Sequence, residues 1–208
     1  MSNESAGFGT RPRGAKRERT KARLIEVAYE LFQKRGIQTV SLEEVAASAG
    51  LTRGSIYGNF KDKDDLVFHV MTAKMLGTGP VLRGKRSLEE QLELVAGAFA
   101  ALTPAALAQL RMMAEFQAYA LAHKAIRSRA AALARKNVSR AAAELRESVK
   151  LSQLPLPPEK FVIVVNALFA GLLYYRALMP DLVDDRLAAR ALQAILPRKQ
   201  GRGSRRQQ

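Results

Sequence analysis

Residues 41–63, SLEEVAASAGLTRGSIYGNFKDK, read as two short helices joined by a tight glycine turn. Ser41 is a good N-cap, and Glu44 three residues later completes a capping box. Leu42, Val45, Ala46 and Ala49 then recur at helical spacing and give one apolar stripe. Gly50 follows the last of them, where the chain must enter a left-handed turn that a side chain would penalise. Leu51 is placed to plug the turn into the core. Thr52 caps a second helix, and Ile56 and Phe60 lie four apart on its inner face. That leaves Arg53, Ser55, Tyr57 and Asn59 on other faces, beside Lys61 and Lys63. Helix, glycine turn and exposed polar helix are the parts of a helix-turn-helix DNA reader.

The flanks fit. A helix is predicted from about Lys16 to Arg35, with Leu24, Ala28, Leu31 and Phe32 facing inward and Gly36 ending it. Asp62, with Asp65 three on, starts a further helix whose apolar face includes Leu66, Val70 and Met71. With these flanks, SLEEVAASAGLTRGSIYGNFKDKDDL resembles the DNA-binding domain of the TetR family of transcriptional regulators. The resemblance covers about the first third of the chain and rests on the capped helix, the A-x-x-A-G turn, Tyr57, Phe60, Lys61, Lys63 and Leu66, in order. Family members commonly carry a bulky aromatic residue and a histidine where this chain has Gly58 and Asn59.

The candidate DNA contacts are Ser41, Thr52, Arg53, Gly54, Ser55, Tyr57, Asn59, Lys61 and Lys63. Arg53 lies in the first turn of the second helix, where docked recognition helices reach base edges, and an arginine there can address guanine bidentately. A tyrosine at a domain surface often only covers core with its ring; the exposed side of this helix favours a phosphate contact for Tyr57. Lys61 and Lys63 read either as phosphate contacts or as solubilising charges, and the resemblance favours Lys63.

Charge is unevenly spread. The chain of 208 residues has a formal net charge of +15, which points to a polyanionic partner. Between Arg11 and Arg23 seven basic residues face one acid, whereas Leu24 to Met75 holds six basic residues and seven acids. The helix-turn-helix core is therefore not itself basic; the arm before it is. A tail from Arg198 adds five more cations. Both ends read as solvated tails or as extra phosphate contacts. There is no cysteine, which excludes disulfides and thiolate metal sites and is compatible with a reducing cytoplasm. No apolar signal core opens the chain, and the most apolar run, Phe161 to Leu173, is interrupted by Asn166. A soluble, cytoplasmic protein with no membrane partner is expected.

After a composition break at GTGPVLRGKR, residues 77–86, the chain is helical throughout. Ser87 and Glu90 form a second capping box, and Thr103-Pro104 marks a third start. The helix to about Leu121 has Leu107, Leu110, Met113 and Leu121 along one side and Met112, Phe116 and Tyr119 along another. A long, basic, alanine-rich helix runs from about Ile126 to Lys150, and prolines at 155, 157 and 158 force a loop. Glu159 to Met179 is the most apolar helix, and Asp184 or Asp185 starts the last.

Enzyme chemistry finds no support. The two histidines, His69 and His123, lie in no metal motif, and the glycine-bearing break does not have phosphate-loop spacing. Neither catalytic residues, nor a cofactor, nor a metal is expected. The reading is an all-α protein with an N-terminal helix-turn-helix domain, residues 1–76, and a C-terminal helical ligand-binding and dimerisation domain, residues 77–208. The resemblance implies a homodimeric repressor that binds double-stranded operator DNA and is released by a small, mainly hydrophobic effector. Met112, Met113, Phe116, Tyr119, Phe169 and Tyr174 are candidate effector contacts, with plain core packing as the other reading. The rival functions are a sequence-independent DNA-packaging protein and a small-molecule carrier with a vestigial DNA domain.

Overall fold

In the computed structural model, which describes residues 13–74, 87–100, 103–150 and 154–195, every regular element is a helix. The order is α1 (Arg13–Arg35), α2 (Leu42–Ser48), α3 (Arg53–Tyr57), α4 (Lys63–Lys74), α5 (Leu88–Ala100), α6 (Pro104–Ala122), α7 (Lys124–Ser148), α8 (Pro158–Leu178) and α9 (Asp185–Ala194). The predicted elements are all present, with ends shifted by a few residues at most. Two expectations, the break at residues 77–86 and the basic tail, lie outside the described residues.

The chain divides into two units, one of Met1–Leu76 with Met112–Ser128, the other of Gly77–Arg111 with Arg129–Gln208. The division proposed from sequence also falls after residue 76, but it assigned the whole of α6 and α7 to the second domain. Residues 112–128 join the first unit because their side chains bond to it. Glu115 accepts a hydrogen bond from the Ile37 backbone N–H, and the Tyr119 hydroxyl donates to Asp64 Oδ1 at 2.8 Å.

In the first unit α1 is the support. Leu24, Ala28 and Phe32 are buried along one side, and Gly36 ends the helix at φ +87° with its N–H on the Phe32 carbonyl, 2.8 Å. Ile37, Val40, Leu42 and Val45 continue the core, and α4 closes it with Leu66, Val67, Val70 and Met71. Each of these Leu, Ile, Val, Phe and Met side chains stabilises the unit by roughly 1.5–3 kcal/mol relative to full exposure. The expected α1 residue Leu31 is only half-buried.

In the second unit Ser87 and Glu90 cap α5 reciprocally, at 2.8 and 3.2 Å. Asp184, not Asp185, caps α9, accepting from the Leu187 N–H at 2.7 Å. The core joins Leu88 and Leu92 of α5, Leu145 of α7, Phe161, Val162 and Val165 of α8 and Leu192 of α9. α8 runs on to Leu178, beyond the apolar run read from the sequence, and is the one helix among the described residues long and apolar enough to cross a membrane. Many of its side chains are exposed, among them Ile163, Val164, Tyr174, Tyr175 and Leu178.

Candidate nucleic-acid interface

The helix-turn-helix is built by local bonds. The Ser41 hydroxyl accepts the Glu44 N–H at 3.2 Å, and Glu44 returns a carboxylate to the Ser41 N–H at 3.0 Å. That capping box, together with Arg35 at 2.5 Å, holds the Glu44 carboxyl below the usual carboxylate range. α2 ends in a Schellman turn: Gly50 N–H to Ala47 O at 3.0 Å and Leu51 N–H to Ala46 O at 2.9 Å, with Gly50 at φ +68°. Thr52 then accepts the Ser55 N–H at 3.2 Å and caps α3. α3 buries only Ile56 and leaves Arg53, Gly54 and Tyr57 exposed.

The predicted contact residues divide by what their polar atoms already do. Ser41 and Thr52 are caps, which keeps their hydroxyls at the helix starts. Arg53 is exposed, and no side chain rises from Gly54 beside it; Ser55 is half-buried with its hydroxyl 3.0 Å from that of Thr52. Tyr57 is exposed, and its hydroxyl donates to Glu43 Oε1 at 2.8 Å. Arg53 Nε lies 3.5 Å from the same carboxylate oxygen, and its guanidinium lies over the Tyr57 ring, 5.4 Å from the centroid. The Tyr57 hydroxyl, the Glu43 backbone and the Arg53 charge together hold the Glu43 carboxyl below its ordinary range.

Asn59 is half-buried and donates Nδ2–H to Ser55 O at 2.8 Å, while its Oδ1 is buried without a hydrogen bond. Lys63 donates to Gln38 O at 2.7 Å, and burial pushes its ammonium pKa down against the pull of Asp64 and Glu44. Lys61 is exposed.

Three groups not singled out from sequence organise this surface. Glu43 joins α2 to both Arg53 and Tyr57. Arg23 Nε donates to Ala49 O at 2.7 Å and Arg17 Nη2 to Gly58 O at 3.2 Å, so two α1 arginines cap the carbonyl ends of α2 and α3. Asp64 receives the Tyr119 hydroxyl and lies 3.1 Å from His123 Nδ1, while the Tyr119 and His123 rings stack with centroids 3.9 Å apart. Burial, then that bond and the charges of Asp64 and Asp62, push the Tyr119 phenol pKa up.

The candidate effector residues are divided between the two units. Met112, Phe116 and Tyr119 are buried in the first unit, with Met113 half-buried there. Phe169 and Tyr174 belong to the second unit: Phe169 is half-buried against its core, and Tyr174 is exposed, meeting Tyr175 edge-to-face at 5.8 Å. Among the described residues no cluster of His, Asp or Glu is placed to hold a metal ion.

Residues 24–70 match the family described as bacterial regulatory proteins, tetR family. The HTH-type transcriptional regulator AcrR of Shigella flexneri is 47% identical over 49 residues, which cover 24% of this chain and 23% of that one. This chain thus spans under a quarter of that relative's length. The fold extends further: NalD, described as the secondary repressor of the MexAB-OprM multidrug efflux pump in Pseudomonas aeruginosa, superposes with TM-score 0.61 at 20% identity, covering 89% of this chain and 99% of that one. The SmeT–triclosan complex gives TM-score 0.58 at 19% identity, covering 88% and 93%. The motif, its caps and these matches together show a helix-turn-helix segment at residues 24–70 similar to that of the tetR family of bacterial regulatory proteins, within an all-helical fold like those of NalD and SmeT.

Proposed function

We propose that the protein is a transcriptional repressor, acting in the cytoplasm, that binds a palindromic operator as a homodimer and is released by a small, mainly hydrophobic effector. The observation that carries the DNA reading is α3 itself. It is capped at its start by Thr52, anchored by Ile56, braced at its end by Arg17, and exposes Arg53 and Tyr57. Arg53 is assigned to a base edge, and Tyr57, Lys61 and Lys63 to phosphates, with two ammonium protons of Lys63 left over after Gln38. Ser41, Thr52, Gly54, Ser55 and Asn59 shape the approach of the backbone to the groove.

The dimer reading draws on α8 and the turn after it, where Ile163, Tyr174, Leu178 and Leu182 are exposed apolar side chains suited to a symmetry mate. The effector reading draws on the aromatic and methionine content of α6 and α8 and on the small apolar ligand of the SmeT complex, a protein of similar fold. Release follows if the effector prefers a conformation that spaces the two α3 helices wrongly.

Selection from a random duplex library tests the reading. The expected product is an inverted repeat with half-site centres one helical turn, about 34–36 Å, apart. Recovery of no shared sequence, with binding abolished by bulk competitor DNA, would instead identify a packaging protein.

A further inference from the structure

We propose that Glu43 is a specificity-determining residue: its carboxylate stands in for a DNA phosphate on the reading surface and keeps Arg53 and Tyr57 from engaging non-operator DNA. The proposal rests on the assignment of α3 as the DNA-contacting helix.

One carboxylate oxygen of Glu43 takes the Tyr57 hydroxyl at 2.8 Å and lies 3.5 Å from Arg53 Nε. The stacking of the guanidinium over the Tyr57 ring completes a three-residue cluster of a cation, a phenol and an anion. The two donors are of the kinds that phosphate oxygens use. Packing does not require the acid there. Glu43 is exposed between the buried Leu42 and Val45, and the helix start is already served by the Ser41–Glu44 capping box. An acid in a first turn also suits the helix dipole, but that role asks for no bond to α3.

The cluster gives unequal costs on different DNA. A non-operator duplex lacks the matching base edge, so Arg53 and Tyr57 meet chiefly phosphates, which must displace Glu43 while approaching its charge. An operator adds a bidentate base contact that draws the guanidinium off the carboxylate, so the same displacement is offset. Glu43 therefore weakens binding to all duplexes but weakens non-operator binding most.

The experiment compares native protein with Glu43→Gln, which keeps an acceptor for Tyr57 and removes the charge. The probes are a duplex that native protein selects from a random library and a shuffled duplex of the same composition. Affinity of Glu43→Gln for the shuffled duplex should rise by up to about eightfold at ~0.1 M monovalent salt, the gain of one further phosphate–cation pair, and its log–log salt slope should steepen by about one. Affinity for the selected duplex should rise less, so discrimination falls, and the gain should vanish in an Arg53→Ala background. Glu43→Ala serves as the second variant, with the same direction expected. An unchanged or lower affinity for the shuffled duplex in both variants overturns the proposal. So does a gain of equal size in the Arg53→Ala background, which would reduce Glu43 to diffuse repulsion. Failure of the underlying assignment looks different: Arg53→Ala and Tyr57→Phe would then leave the affinity for both duplexes unchanged.

Discussion

Gly36 and Gly50 both adopt the left-handed conformation, yet a methyl group should affect them differently. At Gly50 nothing lies within 4 Å of an added Cβ, so Gly50→Ala costs only the conformational penalty, about 1–2 kcal/mol. At Gly36 the Cβ would come within 2.8 Å of Glu115 Oε1, so Gly36→Ala also disturbs the carboxylate that holds Ile37. Urea denaturation should show the larger loss for Gly36→Ala, and equal losses would count against the Glu115 contact. Both turns were legible in the sequence because a glycine after an apolar stripe is a local signal. Glu43 was not, because its meaning depends on α2 and α3 approaching across 14 residues of separation. Lys63 was legible as a cation but not as the donor to Gln38 O, 25 residues away, since a carbonyl partner leaves no trace in side-chain pattern.

At the scale of the element, α6 and α8 each contain more apolar residues than one packing face needs, and the structure uses the surplus differently. The second stripe of α6, Met112, Phe116 and Tyr119, is buried, and Tyr119 ends on Asp64 of α4. Tyr119→Phe should cost about 0.5–1.5 kcal/mol near neutral pH, the usual net worth of a hydrogen bond. The raised phenol pKa sets the pH dependence: the hydroxyl's contribution is full below the ordinary phenol value of about 10 and is lost as pH rises through the higher folded value. The stability gap between native and variant should therefore narrow in alkaline urea titrations; a gap that widens would contradict the geometry. In α8 the surplus stays exposed. Leu168 and Leu172 pack against the core of the second unit, so charges there would damage folding. Ile163→Glu with Leu178→Glu, both at exposed positions, should instead leave helicity intact and shift sedimentation from dimer to monomer. A native monomer at micromolar concentration would remove the basis for this expectation. Periodicity showed the α6 segment apolar on two sides and composition marked α8 as the most apolar helix; neither could say which surplus side would be covered, because that depends on elements distant in sequence.

For the whole molecule, the charge count alone does not say which cations also hold the fold. Arg17 and Arg23, counted in the basic arm, are bonded to the carbonyl ends of α3 and α2. Removing residues 1–12 should therefore lower affinity and flatten the salt dependence while preserving base preference, since Arg11 alone of the arm's cations is lost. Arg17→Ala should instead loosen the end of α3 and blur that preference. Filter binding across a salt series separates the two outcomes, and an Arg17→Ala variant with native preference and a flattened slope would make Arg17 a phosphate contact after all. The all-helical architecture was readable because caps, prolines and stripes repeat along the chain. The assignment of residues 112–128 to the first unit was not, since it turns on single side chains reaching α4 and the α1–α2 turn.

That reach has a consequence for backbone amides. The Ile37 N–H sits in a turn, where amides ordinarily exchange with solvent quickly, but it is held by a carboxylate 78 residues further along the chain. Its deuterium uptake should be slow in the intact protein and rapid in Glu115→Ala. A single peptide spanning the α1–α2 turn would then serve as a mass-spectrometric gauge of whether the end of α6 is seated, reporting each unseating event without any label attached to α6 itself.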